Sequence, residues 1–202
     1  ALPDAVDCET AAASMTKGMT AEYLLRRTYP VQKGDTILVH AAAGGVGLIL
    51  CQWAKHLGAT VIGTVSTREK ADLARANGCD YPVIYTQDDF HGRVMEITEG
   101  RGVPVVYDSV GKDTFEKSLD CLQPRGMMVS FGNASGAIPA FEPGLLAQKG
   151  SLFFTRPSLM HYTANRAELM GSARALFDVI ESGAVNVSVN HRYALKDAHQ
   201  AH

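Results

Sequence analysis

Short runs of apolar residues alternate along the chain with longer stretches in which apolar positions recur every three or four residues. Short apolar runs are typical of β-strands buried on both faces, and stretches with an apolar residue at every third or fourth position are typical of α-helices. The pattern predicts strands at Thr36–His40, Thr60–Val65, Tyr81–Tyr85, Val103–Tyr107, Gly126–Phe131 and Ser151–Thr155. It predicts helices at Val46–Leu57, Glu69–Ala76, Asp88–Thr98, Thr114–Cys121 and Arg166–Ser182.

This alternation predicts the fold class, because strands joined by single helices form right-handed β-α-β units with parallel strands. We expect an α/β fold, a doubly wound parallel sheet of the Rossmann type with about six strands and helices on both faces. Residues 1–30 lack a strand pattern and instead predict helical segments at Glu9–Met15 and Thr20–Arg27. We expect residues 1–30 to be a helical lead-in segment that packs on a Rossmann domain of residues 31–202.

The two ends of the chain are typical of cut points within a longer protein. The chain does not begin with Met, and Ala1–Asp4 is typical of a loop that enters a helix. Leu195–His202 predicts a helix that stops before any capping residue. We therefore expect the chain to be one domain of a larger enzyme.

Composition and charge narrow the classes of partner. The chain has 202 residues, of which 46% are hydrophobic and 20% charged, with a formal net charge of −2. The small charge gives no electrostatic reason to expect binding to nucleic acid or to a membrane surface. No apolar stretch approaches the roughly 18 residues of a membrane span, and the Ala-rich start of the chain lacks the basic residues of a signal peptide. The widely spaced cysteines are typical of reduced thiols, so we expect a cytoplasmic protein.

The cysteines indicate reduced thiols rather than a metal site. Cys8, Cys51, Cys79 and Cys121 are widely spaced, with no C-x-x-C pair and no Cys/His cluster of zinc-finger spacing. Free cysteines in such a pattern are most often small buried hydrophobic residues. We expect no metal site in this chain.

A glycine turn joins the first strand to the first crossover helix and carries the strongest chemical signal. Glycines beside the carboxyl end of a strand allow the backbone to approach a pyrophosphate, and the following helix N-terminus attracts its charge. Ala42 stands where the first Gly of G-x-G-x-x-G would stand, so a tight turn without a ligand remains the alternative. The residues predicted to bind a pyrophosphate are Ala43, Gly44, Gly45, Val46 and Gly47.

The end of the second strand indicates which dinucleotide the site prefers. A site selective for NAD usually carries Asp or Glu there, to bind the ribose 2′-hydroxyl. Here the chain places Ser66 and Lys70, which can bind a 2′-phosphate. We therefore expect NADPH as the cofactor, although Lys70 could simply be solvated. Arg68 is expected to point outward, and Glu69 to interact favourably with the helix dipole.

Four motifs in order extend this interpretation to a family. His40–Gly47, Tyr107–Gly111, Ser130–Asn133 and Thr155–Ser158 resemble those of the quinone oxidoreductases. These enzymes are the zeta-crystallin-like, zinc-independent branch of the medium-chain dehydrogenase/reductase superfamily. The resemblance runs through nearly the whole chain. It implies an NADPH:quinone reductase whose subunit also has a GroES-like domain, so this domain alone is expected to be inactive.

The resemblance also implies roles for particular residues. Gly44 to Gly47 would hold the pyrophosphate, and Ser109 would lie near the adenine side. The groups expected around the adenosine 2′-phosphate are Ser66, Lys70 and Tyr85, and those expected beside the nicotinamide are Phe131, Gly132 and Asn133.

The chemistry of these residues agrees with the implied roles, because open α/β sheets bind ligands beyond the carboxyl ends of their strands. Asn133 offers both amide donors and a carbonyl acceptor, although it could merely form a turn. Tyr85 could stack on the adenosine or could be a core aromatic residue. Asp108, at a strand end, is expected to cap the following turn rather than to act in catalysis.

The expected reaction is hydride transfer from NADPH to a quinone. A reduced quinone can take its protons from water, so we assign no catalytic residue in this chain. An NADPH-dependent alkenal or enone reductase is the first alternative, and a cofactor-binding structural or RNA-binding protein is the second. We further expect a homodimer through the apolar edge strand Ser151–Thr155, in line with the dimers of the zinc-independent relatives.

Overall fold

The computed structural model describes residues 2–189 and 191–201 of the chain. The strands are β1 Thr36–Val39, β2 Thr60–Val65, β3 Tyr81–Ile84, β4 Val103–Asp108, β5 Leu122–Ser130 and β6 Phe153–Thr155. The helices are α1 Cys8–Tyr23, α2 Gly45–His56, α3 Arg68–Ala76, α4 Phe90–Ile97, α5 Phe115–Asp120, α6 Gly144–Gln148, α7 Leu159–Tyr162, α8 Arg166–Glu181 and α9 Ala198–Ala201. A π-helical turn, Leu24–Thr28, follows α1, and a 3₁₀ turn, Leu195–Asp197, precedes α9.

The six strands form one parallel sheet in the order β3-β2-β1-β4-β5-β6. This confirms the predicted doubly wound α/β fold of the Rossmann type. The order reverses between β1 and β4, where the register pairs Val39 with Tyr107. In sheets of this kind the crevice outside the carboxyl ends of the strands at such a reversal binds ligands.

Successive residues of each central strand enter opposite cores, which places helices on both faces as predicted. Ile37 and Val39 belong to a core shared with α1, α2 and α8, whereas Leu38 belongs to a core shared with α4 and α5. All three side chains are fully buried. Continuous apolar runs are therefore required in these strands, and this is why the sequence predicts them well.

The first helix differs from the prediction, since the two expected segments form one helix that continues through Gly18. A Cβ on Gly18 would lie 2.4 Å from Cδ1 of Leu176 in α8, so glycine at this position allows the two helices to touch. Leu24 and Leu25 after the helix are fully buried in the same core as β1. The division of the chain into a lead-in segment and a domain at residue 30 stays a prediction.

Some boundaries also differ from the prediction. The edge strand begins at Phe153 rather than Ser151, because Ser151 has a left-handed backbone with φ of 57° and Leu152 is buried beneath it. The fifth strand begins earlier, at Leu122, and its register with β4 shifts between Val103 and Val105. The short helices α6 and α7 lie in stretches whose pattern predicts no helix. The predicted helix Leu195–His202 is a 3₁₀ turn followed by a short α-helix, and His202 lies outside the described residues.

Within the described part of the chain, no helix combines the length and the apolar character that crossing a membrane requires.

Candidate functional site

The glycine turn at the end of β1 holds the N-terminus of α2 close to the strand. Gly44 caps the helix in an extended conformation, and its backbone N–H donates to the carbonyl oxygen of Ala41 at 2.8 Å. A Cβ on Gly47 would lie 2.4 Å from that same oxygen and 2.7 Å from the carbonyl oxygen of Ala42. Since both neighbours are backbone atoms, Gly47 cannot be replaced without moving the helix away from the turn.

The five residues predicted to bind a pyrophosphate face different sides of this turn. Ala43 and Gly44 line a cavity of about 170 Å³ together with Ser66, Lys70 and Tyr85. Gly45 does not line it, because a Cβ on Gly45 would point to Lys17 of α1. The remaining two are Val46, which is half-buried, and Gly47, which is buried.

The residues predicted to surround a 2′-phosphate lie together in this cavity. Lys70 Nζ donates to Ser66 Oγ at 3.1 Å, and the backbone N–H of Lys70 donates to Thr67, the cap of α3. The Tyr85 backbone N–H donates to the carbonyl oxygen of Val65. The Tyr85 side chain is 52% exposed, which excludes the alternative of a core aromatic residue.

The charged neighbours of Lys70 turn away from the cavity as expected. Arg68 forms an exposed ion pair with Asp72, 3.5 Å away and one turn along α3. Glu69 lies in the first turn of α3, where hydrogen bonds from its own backbone N–H and from the Thr67 side chain hold the pKa of its carboxyl below the ordinary value.

Asp108, at the end of β4, caps the following turn, which confirms the structural role expected for it. Its Oδ1 accepts the backbone N–H of Val110 at 2.7 Å and that of Gly111 at 3.1 Å. Its Oδ2 accepts the hydroxyl of Thr114 at 2.8 Å. The carboxylate is fully buried and both of its oxygens accept hydrogen bonds from the turn that it caps.

The loops after β4 and β5 are in direct contact. A Cβ on Gly132 would lie 2.5 Å from the carbonyl oxygen of Ser109, so this glycine is required by the loop–loop contact itself. Phe131 extends β5 by donating its backbone N–H to the carbonyl oxygen of Asp108. Asn133 is exposed, and its backbone carbonyl closes a turn by accepting the N–H of Gly136.

Arg156, which follows the edge strand, has no role predicted from the sequence. Its Nη2 donates to Asn133 Oδ1 at 3.1 Å, and its Nη1 donates to the carbonyl oxygen of Ser130 at 2.8 Å. Arg156 and Asn133 together line a cavity of about 470 Å³ whose wall includes the rings of Phe141 and Phe154. The only signal in the sequence is the Thr155–Ser158 motif, which does not say which side chain faces Asn133.

His40, at the end of β1, is a second residue without a predicted role. The ring is fully buried, with Nδ1 2.8 Å from Thr64 Oγ1 and Nε2 2.8 Å from Ser118 Oγ. Ser118 donates its own hydroxyl hydrogen to the carbonyl oxygen of Thr114, so it accepts the Nε2–H of His40. Thr64 then donates to Nδ1. This network ties β1 to β2 and to α5 immediately beneath the glycine turn.

Burial lowers the pKa of His40 below its ordinary value, and the nearby negative charge of Asp108 opposes that shift only partly. The ring is therefore neutral in the folded protein, in agreement with the single tautomer that its two hydroxyl partners require.

These residues lie at the carboxyl ends of the strands, where the strand order reverses between β1 and β4. The family model described as zinc-binding dehydrogenase matches residues 45–178, which include α2 and the ends of β2, β4 and β5. The chain belongs to the zinc-binding dehydrogenase family.

Relatives and solved structures match the chain along its whole length. The quinone oxidoreductase of Pseudomonas aeruginosa is 54% identical over 201 residues, which are 100% of this chain and 62% of that protein. The crystal structure of Escherichia coli quinone oxidoreductase complexed with NADPH has a TM-score of 0.96 and 54% identity, covering 99% of this chain and 62% of that chain. A 2-haloacrylate reductase from a Burkholderia species is 54% identical over 192 residues, 95% of this chain and 58% of that protein. The predicted resemblance to quinone oxidoreductases is confirmed, and the chain spans about three fifths of the length of these relatives.

The described residues do not fit the metal that the family description names. No three side chains of His, Cys, Asp or Glu lie close enough within residues 2–189 and 191–201 to hold a metal ion. Cys51, Cys79 and Cys121 are buried and Cys8 is exposed, each as a free thiol.

The buried His40 predicts how stability depends on pH. Its pKa is lower in the folded state than the unfolded value of 6.5, so the unfolded state binds the extra proton as pH falls. Above pH 6.5, His40 should therefore not change the free energy of unfolding. Below pH 6.5, His40 should lower it by at most about 1.4 kcal/mol per pH unit.

In urea unfolding between pH 7.5 and 5, the variant His40→Gln should start less stable than the unaltered protein and lose less stability on acidification. An unchanged slope in His40→Gln would contradict the assignment of that acid sensitivity to His40.

Proposed function

We propose that this chain is the NADPH-binding part of an oxidoreductase that transfers a hydride to a quinone. The observation that carries the proposal is the Ser66–Lys70 pair, which lies beside the glycine turn in a cavity whose lining includes no carboxylate. A cation and a hydroxyl favour a 2′-phosphate at the position where NAD sites usually place an acid. The Escherichia coli quinone oxidoreductase, whose crystal structure is a complex with NADPH, supports the same choice.

The residues present fit a dinucleotide phosphate along the crevice. The adenosine 2′-phosphate would contact Ser66 and Lys70, with Tyr85 beside the adenosine. The pyrophosphate would lie at the glycine turn, where free N–H groups and the positive end of α2 attract it. Gly44 leaves open the side of the turn that faces the cavity. The further contacts we propose are Ala43, Gly45, Val46 and Gly47 at the turn, Ser109 after β4, and Phe131, Gly132 and Asn133 beside the nicotinamide.

NADPH, when bound, supplies the hydride. The part played by this chain is to bind and orient it. Asn133 is held by Arg156, and the loop that carries Asn133 rests on Ser109, so these contacts orient the groups proposed for the nicotinamide. Asp108 is fully engaged by the turn that it caps, and we assign no proton transfer to it.

A second candidate acceptor is an activated alkene, reduced at carbon by the same hydride. The observation that favours it is the 2-haloacrylate reductase, which matches the chain at the same identity as a quinone oxidoreductase does. The cofactor contacts are the same for both acceptors. Turnover assays of the full-length protein with a 1,4-quinone and with 2-chloroacrylate separate them, and we expect the quinone to be reduced faster.

We also propose that β6 joins two copies of the chain edge to edge. This strand pairs with β5 alone among the described strands, and Phe153 is 58% exposed although it is apolar. Phe154 faces inward, where it packs against Phe115 and Phe141. An uncovered apolar edge strand favours pairing with another strand, and a two-fold axis would join two of them into one sheet. The cytoplasmic location and the lack of a nucleic-acid partner stay predictions.

Replacement of Lys70 tests the cofactor assignment. Lys70→Ala should weaken NADPH binding about tenfold, or about 1.5 kcal/mol, because Lys70 is exposed and only one charge-assisted contact is lost. Binding of NADH, which has no 2′-phosphate, should not change. Arg68→Ala on the same helix is the matched control and should leave both affinities unchanged. Equal losses for NADPH and NADH in Lys70→Ala, measured by fluorescence titration, would refute the assignment.

Replacement of Phe153 tests the dimer. In Phe153→Lys, each copy would bring a positive charge into the short paired strands, so sedimentation should show a monomer where the unaltered protein is a dimer. Met160→Lys, at a methionine that is 76% exposed and lies in α7 outside the strand, should leave the dimer intact. An unaltered protein that is monomeric at high concentration rules out the proposed pairing, and a dimeric Phe153→Lys places the contact elsewhere.

A further inference from the structure

The cavity of about 470 Å³ beyond the ends of β5 and β6 lies next to the groups proposed for the nicotinamide. Gly132 and Asn133 line this cavity, whereas Phe131, the third of those groups, does not. Phe131 packs instead against the core shared with α1, α2 and α8. A molecule in the cavity would therefore lie beside the nicotinamide rather than in its place.

Aromatic rings form the apolar wall of this cavity. The ring centroids of Phe141 and Phe154 are 5.4 Å apart, and Phe154 meets Phe115 of α5 edge to face at 5.8 Å. Phe115 is fully buried, so the wall rests on the core. The smaller residues that line the cavity are Ser130, Ala137, Ile138, Pro139 and Ala140. Small-molecule sites typically have such walls and volumes of about 300–1,000 Å³, and aromatic walls favour a flat ring.

Arg156 brings a positive charge into this apolar cavity. Its Nη1 and Nη2 donate to the carbonyl oxygen of Ser130 and to Asn133 Oδ1, which leaves three of the five N–H donors of the guanidinium for other partners. No carboxylate lines the cavity, and Arg156 forms no ion pair within the described part of the chain. The cavity therefore favours a ring that carries or gains negative charge on an oxygen.

A quinone has both properties, because it is a flat ring that becomes an anion when it is reduced. Hydride transfer moves two electrons and one proton from NADPH to the quinone. NADPH is thereby oxidised to NADP⁺, the quinone becomes a hydroquinone anion, and the anion then takes one proton from water. A fixed cation beside the oxygen on which the charge develops lowers the energy of the transition state.

We propose that the cavity of Phe141 and Phe154 binds the ring of the quinone, and that Arg156 is a catalytic residue that stabilises the negative oxygen formed on it. The proposal rests on the proposed function, since it names the acceptor site of the same reaction. Arg156 then has two roles, because it orients Asn133 for the nicotinamide and binds the oxygen of the acceptor.

Filling the cavity tests the acceptor site in the full-length protein. Ala137→Trp and Ala140→Trp replace exposed alanines of the cavity lining, so the added ring takes the space of the quinone without disturbing the core. The KM for 1,4-naphthoquinone at saturating NADPH should rise about tenfold, while the unfolding temperature and the affinity for NADPH in calorimetry stay unchanged. Ala147→Trp, at an exposed alanine of α6 outside the lining, is the matched control and should leave the KM unchanged.

Two results would overturn the acceptor site. The first is a KM for 1,4-naphthoquinone that is unchanged in both Ala137→Trp and Ala140→Trp. The second is a loss of NADPH affinity as large as the rise in KM, which would place the nicotinamide itself in the cavity.

Replacement of Arg156 tests its catalytic role. Arg156→Met removes the charge, so kcat for 1,4-naphthoquinone at saturating NADPH should fall about tenfold to a hundredfold, the loss of one charge-assisted hydrogen bond. Arg156→Lys keeps the charge and should retain most of kcat. A role limited to holding Asn133 predicts weaker NADPH binding with an unchanged kcat once NADPH saturates, and this result would overturn the catalytic role.

Failure of the proposed function would give a different result. An unaltered protein that binds NADPH but reduces 2-chloroacrylate and no quinone would contradict the quinone as acceptor. In that case a rise of about tenfold in the KM for 2-chloroacrylate in Ala140→Trp would still support the cavity as the acceptor site. An unchanged KM for 2-chloroacrylate in both tryptophan variants would contradict the cavity as well.

Discussion

The close approach of Gly47 to the carbonyl oxygens of Ala41 and Ala42 is the contact on which the rest of the site depends. The clearance is 2.4 Å for an added Cβ, so only glycine allows α2 to start this close to the end of β1. The helix N-terminus is thereby directed at the crevice where the strand order reverses. The charged side chain proposed to bind the cofactor, Lys70, lies beside the N-terminus of α2.

The cations around the turn come from different layers of the fold. Lys70 reaches it from α3 and is hydrogen-bonded to Ser66 after β2, while Lys17 reaches it from α1 on the other side. Beneath the turn, the neutral ring of His40 joins β1 to Thr64 and to Ser118. Cationic side chains thus lie on both sides of the turn, and the His40 ring at its base is neutral.

Much of this could be predicted from the sequence because the signals are local. Ile37-Leu38-Val39 must be apolar throughout, since β1 is buried on both faces, and Gly47 must be a glycine beside the end of the strand. Ser66 and Lys70 follow from the hydroxyl and basic residues at the end of β2, where an NAD site usually carries an acid, while the resemblance to quinone oxidoreductases adds Tyr85 to them.

The remaining features depend on contacts between segments distant in the chain. The direction of Gly45 towards Lys17 is set by the packing of α1 on α2, which no local pattern encodes. The bond between Arg156 and Asn133 arises only when the ends of β5 and β6 lie side by side. The local pattern predicts a break between two helical segments around Gly18, because glycine lowers the stability of a helix. The contact of Gly18 with Leu176 depends on the packing of α1 against α8 and has no signal in the local sequence.

The central claim is that the arrangement around the turn selects a dinucleotide that carries a 2′-phosphate. Titration of the unaltered protein with NADPH and with NADH, at low and at physiological ionic strength, tests it most directly. The account predicts that NADPH binds more tightly than NADH. It also predicts that the difference in affinity between them decreases as salt screens the charge of the exposed Lys70. Equal affinities at low salt, or tighter binding of NADH, would contradict it.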